Sequence, residues 1–162
     1  MQSPRYFLLA AALALPFAAF AATPASHDHG HDSAAPQQMV LNAGKKWTID
    51  APLRQGMLTM HSAIKHTLPA AHAGKATAAD YDALGAKVSA QVAYIVENCK
   101  LQPQADEQLH TVIAQLLSGV EAVQGQQGEG ERASGVVKMA QALNTYGQYF
   151  EHAGWKAIAV PH

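Results

Sequence analysis

The sequence has 162 residues, of which only one is a cysteine, 14% are charged and 7% are aromatic. A lone cysteine cannot form an internal disulfide, so Cys99 is expected to be buried and inert, bound to a metal, or paired with another chain. The formal net charge is −1 and no cluster of Lys and Arg is present. This composition argues against nucleic acid or an anionic membrane surface as a partner.

The first residues predict export. Arg5 precedes an apolar run from Tyr6 to about Phe20, which ends in small residues near Ala21. This order is typical of a cleaved secretory signal peptide, assigned here to residues 1–21. The run is shorter than the roughly 20 residues that span a bilayer. We therefore expect a periplasmic protein with no stable membrane insertion after cleavage, with an uncleaved anchor as the alternative.

Residues 22–38 predict a disordered tail, because they are rich in Ala, Pro, Ser, His and Asp and poor in core-forming residues. Within the tail, His27, His29 and His31 alternate with Asp28, Gly30 and Asp32. Short His-rich tracts are a metal-binding composition, although a tract of this kind selects poorly between Cu(II), Ni(II) and Zn(II). The alternative is a solubilising linker that binds metal only adventitiously.

Residues 39–162 predict one domain of four helices. Trp47 is the expected anchor of a lead-in segment, and Asp50 with Pro52 predicts the start of the first helix. Thr77 and Asp80 resemble a capping box for the second helix, and Pro103 opens the third. A loop at residues 125–131 precedes the fourth, which is expected to end before Gly154. Apolar residues recur at helical spacing in each segment. They are Leu53, Met57, Met60, Ile64 and Leu68; Tyr81, Leu84, Val88, Val92, Ile95 and Cys99; Leu109, Ile113, Leu116, Val120 and Val123; and Val136, Met139 or Ala140, Leu143, Gly147 and Phe150.

Short connections between four such helices predict an all-α, up-down-up-down antiparallel four-helix bundle. This topology places the start of the first helix beside the end of the second and the start of the third. Five candidate metal ligands then share one end of the bundle: Met57, Met60, His61, Cys99 and His110. Thiolate and thioether are soft donors, so the set favours copper, especially Cu(I), over zinc.

Ordinary packing is the alternative explanation for these residues. Cysteine is among the residues most often buried, and methionine is a common core filler. His110 could simply pair with Asp106, one turn earlier. Catalysis is not expected, because Cys99 at a helix C-terminus meets the negative end of the helix dipole, which disfavours its thiolate. The sequence also has no Ser/His/Asp arrangement, Gly-rich phosphate loop or Cys-x-x-Cys pair.

Two resemblances accompany these patterns. With Met57 near the start of the first helix and His152 near the end of the fourth, the chain resembles the soluble b-type cytochromes of the bacterial periplasm. That resemblance implies axial haem b ligation by Met57 and His152. However, His152 lies about 200° around a helix from Phe150, so the helical phase predicts that it points away from the core.

The stretch from Gly44 to Met57 resembles a segment shared by small, uncharacterised periplasmic four-helix-bundle proteins of proteobacteria, a likeness that implies bacterial origin and fold but no function.

The hypothesis drawn from the residues is a periplasmic metal-binding protein, with copper favoured, that acts as a carrier, buffer or sensor. The alternatives are a b-type haem electron carrier and a cofactor-free module that binds a periplasmic protein partner.

Overall fold

A computed structural model describes residues 38–160, and these residues are all-helical. The helices are α1 (Ala51–His72), α2 (Ala78–Asn98), α3 (Pro103–Val123) and α4 (Arg132–Tyr149), with a short 3-10 helix, η1 (Glu129–Glu131), before α4. Within this range there is no β-strand, and no helix has both the length and the apolarity needed to cross a bilayer. The predicted helical class and the four helices are therefore confirmed. The predicted signal peptide, and the predicted tail up to residue 37, lie outside the described residues.

The helix starts lie where the sequence predicts them. The Asp50 carboxylate caps α1 by accepting a hydrogen bond from the Leu53 backbone N–H at 2.9 Å. At α2, the Asp80 backbone N–H donates to the Thr77 hydroxyl at 3.2 Å, and the Thr77 backbone N–H donates to the Asp80 carboxylate at 2.8 Å. This reciprocal pair is a capping box with Asp in place of the usual Glu. Helix α3 begins at Pro103, whose missing N–H would be unsatisfied there in any case.

The predicted apolar stripes form the core. Helices α1 and α3 each pack against both α2 and α4, so the four stripes meet in a single interior. Its largest fully buried side chains are Leu53, Met57, Met60, Ile64, Val88, Ile95, Leu109, Leu116, Met139, Leu143, Tyr146 and Phe150. Of the α3 stripe, only Ile113 remains partly exposed.

Glycines bring α3 and α4 into close contact. A Cβ atom added to Gly135 would lie 2.8 Å from the Gly119 carbonyl oxygen and 2.8 Å from the Ala122 Cβ. A Cβ atom on Gly119 would in turn collide with Met139. These distances are below normal van der Waals contact, so side chains larger than hydrogen would force the two helices apart.

Arg132 fixes the connection between α3 and α4. Its guanidinium donates to the Glu129 carboxylate at 2.7 and 2.8 Å, to Asp82 of α2 at 2.8 Å and to the Val123 carbonyl at 2.6 Å. The predicted loop at residues 125–131 is present and contains η1. One side chain thus holds the first turn of α4 to α2 and to the end of α3.

Two non-helical segments pack on the helices. The lead-in segment, Met39–Ile49, is anchored by Trp47, which is 7% exposed as predicted. The second, here called the C-terminal strap, is Phe150–Val160. The Trp47 backbone N–H donates to the Tyr149 carbonyl at 2.8 Å, and the Glu151 N–H donates to the Trp47 carbonyl at 2.8 Å. This backbone pairing stops α4 at Tyr149, several residues before the expected end.

Candidate functional site

Asp50 organises the corner between α2 and α3. One of its oxygens caps α1 and accepts a hydrogen bond from the Cys99 Sγ at 3.4 Å, while the other accepts from the Lys100 N–H at 2.7 Å. Burial by itself raises the pKa of Asp50, but the hydrogen bonds from Lys100 and Leu53 outweigh it and the pKa is lowered. The carboxylate is therefore charged at neutral pH and faces the thiol of the only cysteine.

Cys99 has the properties of a protonated thiol. Burial raises its pKa to about 12, helped by the hydrogen bond to Asp50 and by the negative charges of Asp50 and Asp106. A thiol must lose its proton to act as a nucleophile or as a metal ligand. The nucleophilic role is therefore disfavoured at neutral pH, and a metal ligand would need the bound cation to displace the proton.

The turn between α2 and α3 brings Cys99 and His110 to one cleft. Both line a cleft of about 240 Å³ between α2 and α3, together with Asp106 and four apolar residues, Ile95, Val96, Leu109 and Ile113. His110 Nδ1 lies 2.8 Å from the Asp106 carbonyl oxygen and 3.6 Å from its carboxylate. Since a carbonyl oxygen only accepts, Nδ1 carries the proton. His110 stays on the exposed rim, with 73% of its side chain accessible.

The other candidate ligands of the helical domain are not brought to this cleft. Met57 and Met60 have no exposed surface and belong to the core. His61 lies against the C-terminal strap, where its Nε2 donates to the Lys156 carbonyl at 2.8 Å and its ring meets Trp155 edge-on at 4.8 Å between centroids. Within residues 38–160, no three His, Cys, Asp or Glu side chains are grouped so that they could hold a metal ion.

The prediction that His152 points away from the core is wrong. His152 is 7% exposed and is the one buried polar or charged residue of the described range. The prediction assumed that α4 continues through His152, whereas the helix ends at Tyr149 and Phe150 is already extended. His152 therefore has no helical phase, and the strap turns its ring inward against Tyr146.

The inward position of His152 does not by itself create an axial haem site. Its Nδ1 is hydrogen-bonded to the Tyr146 hydroxyl at 2.9 Å, and its ring packs at 4.8 Å on Trp155. Met57, the other proposed axial ligand, is closed within the core. A haem between Met57 and His152 would have to displace these contacts.

The third group of candidate ligands, His27, His29 and His31, lies outside the described residues. Sequence reasoning missed two features of the described range. One is the Asp50–Cys99 pair, for which the only signal was the topology that places the start of α1 beside the end of α2. The other is the cluster of His61, Tyr146, His152 and Trp155, which no local pattern indicates.

Comparisons of the chain with protein-family models, curated proteins and solved structures find no match.

Proposed function

We propose that this chain is an exported, non-enzymatic metal-binding protein, with copper as the favoured metal, that acts as a carrier, buffer or sensor. The observation that carries the proposal is the tract His27-Asp28-His29-Gly30-His31-Asp32. Three imidazoles two residues apart, with Asp28 and Gly30 between them and Asp32 after the last, can wrap one ion. Imidazole suits copper, nickel and zinc, and Cu(II) binds most tightly among these divalent ions.

The contacts of the candidate ligands within the helical domain support this assignment. Met57 and Met60 are buried in the core, burial and then Asp50 raise the pKa of Cys99, and His61 donates to the Lys156 carbonyl. We therefore assign capture of the metal to the tail and treat the helical domain as the folded carrier. The predicted periplasmic location belongs to this proposal and rests on residues 1–21.

We also propose the up-down-up-down antiparallel topology. Contacts between helix ends support it: Gly56, early in α1, packs against Ile95, near the end of α2. Gly85, early in α2, packs against Val123, the last residue of α3. Arg132, the first residue of α4, bonds to that same Val123.

Metal titrations of the purified, exported chain test the proposal. The triple variant His27→Ala, His29→Ala, His31→Ala should lose stoichiometric Cu(II) binding in calorimetry while its far-ultraviolet circular dichroism is unchanged. The double variant Cys99→Ser, His110→Ala is the matched control and should bind as wild type does, with Cu(II) and, by competition with a chromophoric chelator, with Cu(I). Loss of binding in the control instead would place the site in the cleft, and no binding by wild type would contradict metal binding altogether.

A second candidate function is a cofactor-free interaction module. Val96 on α2 is 68% exposed beside the cleft, and Leu117 on α3 is 39% exposed. Leu117 lies four residues after Ile113, which lines the cleft, so the two share a helix face. Val96→Lys with Leu117→Lys should then abolish capture of a periplasmic partner without changing the far-ultraviolet circular dichroism.

A further inference from the structure

The C-terminal strap lies along α4 and reaches α1. Asn144 of α4 makes two hydrogen bonds with Ile158: its side-chain amide donates to the Ile158 carbonyl at 2.9 Å, and the Ile158 N–H donates to its oxygen at 2.7 Å. The Lys156 carbonyl accepts from His61 of α1. Phe150 and Ile158, at 0% and 4% exposure, insert into the core. The strap is thus bonded to both α1 and α4 and closes over Tyr146.

His152 and Trp155 form the inner surface of the strap. The Trp155 ring packs 4.9 Å from Tyr146, 4.8 Å from His61 and 4.8 Å from His152, measured between centroids. Its indole N–H is buried against Gly147 and has no hydrogen-bond partner among the described residues. A buried donor without an acceptor is unfavourable. Closure of the strap therefore includes an unfavourable contact that opening would relieve.

The charges that face His152 are positive. Arg54 and His61 of α1 both act on it electrostatically. From α4, the facing titratable group is the Tyr146 hydroxyl, which burial keeps neutral by raising its pKa. The neighbouring carboxylate on the strap, Glu151, is exposed. A proton on His152 would thus add a buried positive charge on the side where Arg54 already carries one.

We propose that the C-terminal strap is an acid-released cover, held closed by neutral His152 and opened when that imidazole takes up a proton. The position is unfavourable for a cation whichever way the bond to Tyr146 is directed, because the ring is buried and faces Arg54 and His61. Opening would expose Phe150, the face of Tyr146 and the surface of α1 at His61. The trigger is mild acidification, to which histidine is the side chain best suited.

The sign of the effect follows from the direction of the shift. Burial, followed by the charges of Arg54 and His61, lowers the pKa of His152 below its ordinary value of 6.5. The open strap therefore binds the proton more tightly than the closed strap does. The stability of the closed state is fully present above pH 6.5 and is lost as the pH falls toward the lowered pKa.

Amide hydrogen exchange of the full chain, followed by NMR between pH 7.5 and pH 5 and corrected for the intrinsic rates, tests the proposal. The reporters are two backbone amides: that of Trp155, which donates to the His152 carbonyl, and that of Ile158, which donates to the Asn144 side chain. Their protection should fall by up to about tenfold per pH unit below about 6.5, and at every pH it should stay below that of the core amide of Val88, which exchanges on global unfolding.

Substitutions distinguish protonation of His152 from the packing contribution of its side chain. His152→Gln should remove the pH dependence of the strap amides, and His66→Gln, at an exposed histidine of α1, should leave it as in wild type. Arg54→Gln removes a facing cation but keeps His152, so its loss of protection on acidification should be smaller. A flat wild-type profile, an equally steep one in His152→Gln, or strap amides as well protected as Val88 at every pH would each overturn the proposal.

Discussion

Replacement of Asp50 separates two functions of one carboxylate: capping α1 and restraining the Cys99 thiol. Asp50→Ala removes the acceptor for the Leu53, Cys99 and Lys100 donors. Loss of an N-cap costs about 0.5–2 kcal/mol. The Lys100 bond is on the surface, so its donor turns to water and adds little. We expect the free energy of unfolding to fall by about 1–2 kcal/mol in urea titrations. Asn caps helices as well as Asp does, so Asp50→Asn should lose less than about 1 kcal/mol.

The pKa of the Cys99 thiol should respond in the same direction to both substitutions, unlike the stability. The hydrogen bond to Asp50 and the charge of Asp50 both raise the pKa of Cys99, after burial, which is the largest cause. Both variants remove the charge, so in both the pKa should fall below about 12 while burial keeps it above the ordinary value for cysteine. A larger thiolate fraction reacts faster.

The assay is the rate of iodoacetamide alkylation of the folded protein between pH 7 and pH 10, with Cys99→Ser as the background control. Asp50→Asn should be alkylated faster than wild type at each pH although its stability is nearly unchanged. Equal rates in the two proteins would show that burial alone raises the pKa of the Cys99 thiol, and would refute the role given to Asp50. An Asp50→Ala variant as stable as wild type would refute the capping role.

The remaining predictions concern stability, measured in urea or by thermal melting. Gly135→Ala should lower the free energy of unfolding by about 1–3 kcal/mol because its methyl group would meet the Gly119 carbonyl. Gly130 faces open space, so Gly130→Ala should stay within about 0.5 kcal/mol of wild type. Equal effects of the two substitutions would contradict the close helix contact. Thr77→Ala should cost about 1 kcal/mol through loss of the capping box, and an unchanged midpoint would contradict it. Arg132→Lys should lower the melting temperature because an ammonium cannot keep all the bonds to Glu129, Asp82 and Val123; a melting curve like that of wild type would show that those bonds add nothing.

The sequence was sufficient for the helices because their signals are local. Asp50, Thr77 with Asp80, and Pro103 each act within one turn, and apolar spacing marks which face of each helix is buried. The end of α4 could not be predicted in this way. It is set by backbone bonds from Trp47, about a hundred residues away in the chain, and these compete with the last turn of the helix.

The candidate site, too, was predictable only where its signals are local. That Cys99 and His110 lie at the same turn follows from the sequence, and in the structure both line one cleft. The burial of Met57 was also predictable, but burial alone does not separate a ligand from a core residue. His152 was misplaced because its position depends on the strap, whose contacts with Tyr146 and Trp155 have no periodic signal.

The most direct test of the proposed function is the metal content of the exported chain, purified without chelators, dialysed against buffered copper and measured by elemental analysis beside its His27→Ala, His29→Ala, His31→Ala variant. The proposal predicts stoichiometric copper on wild type and none above background on the variant. Copper retained by the variant, or none bound by wild type, would contradict it.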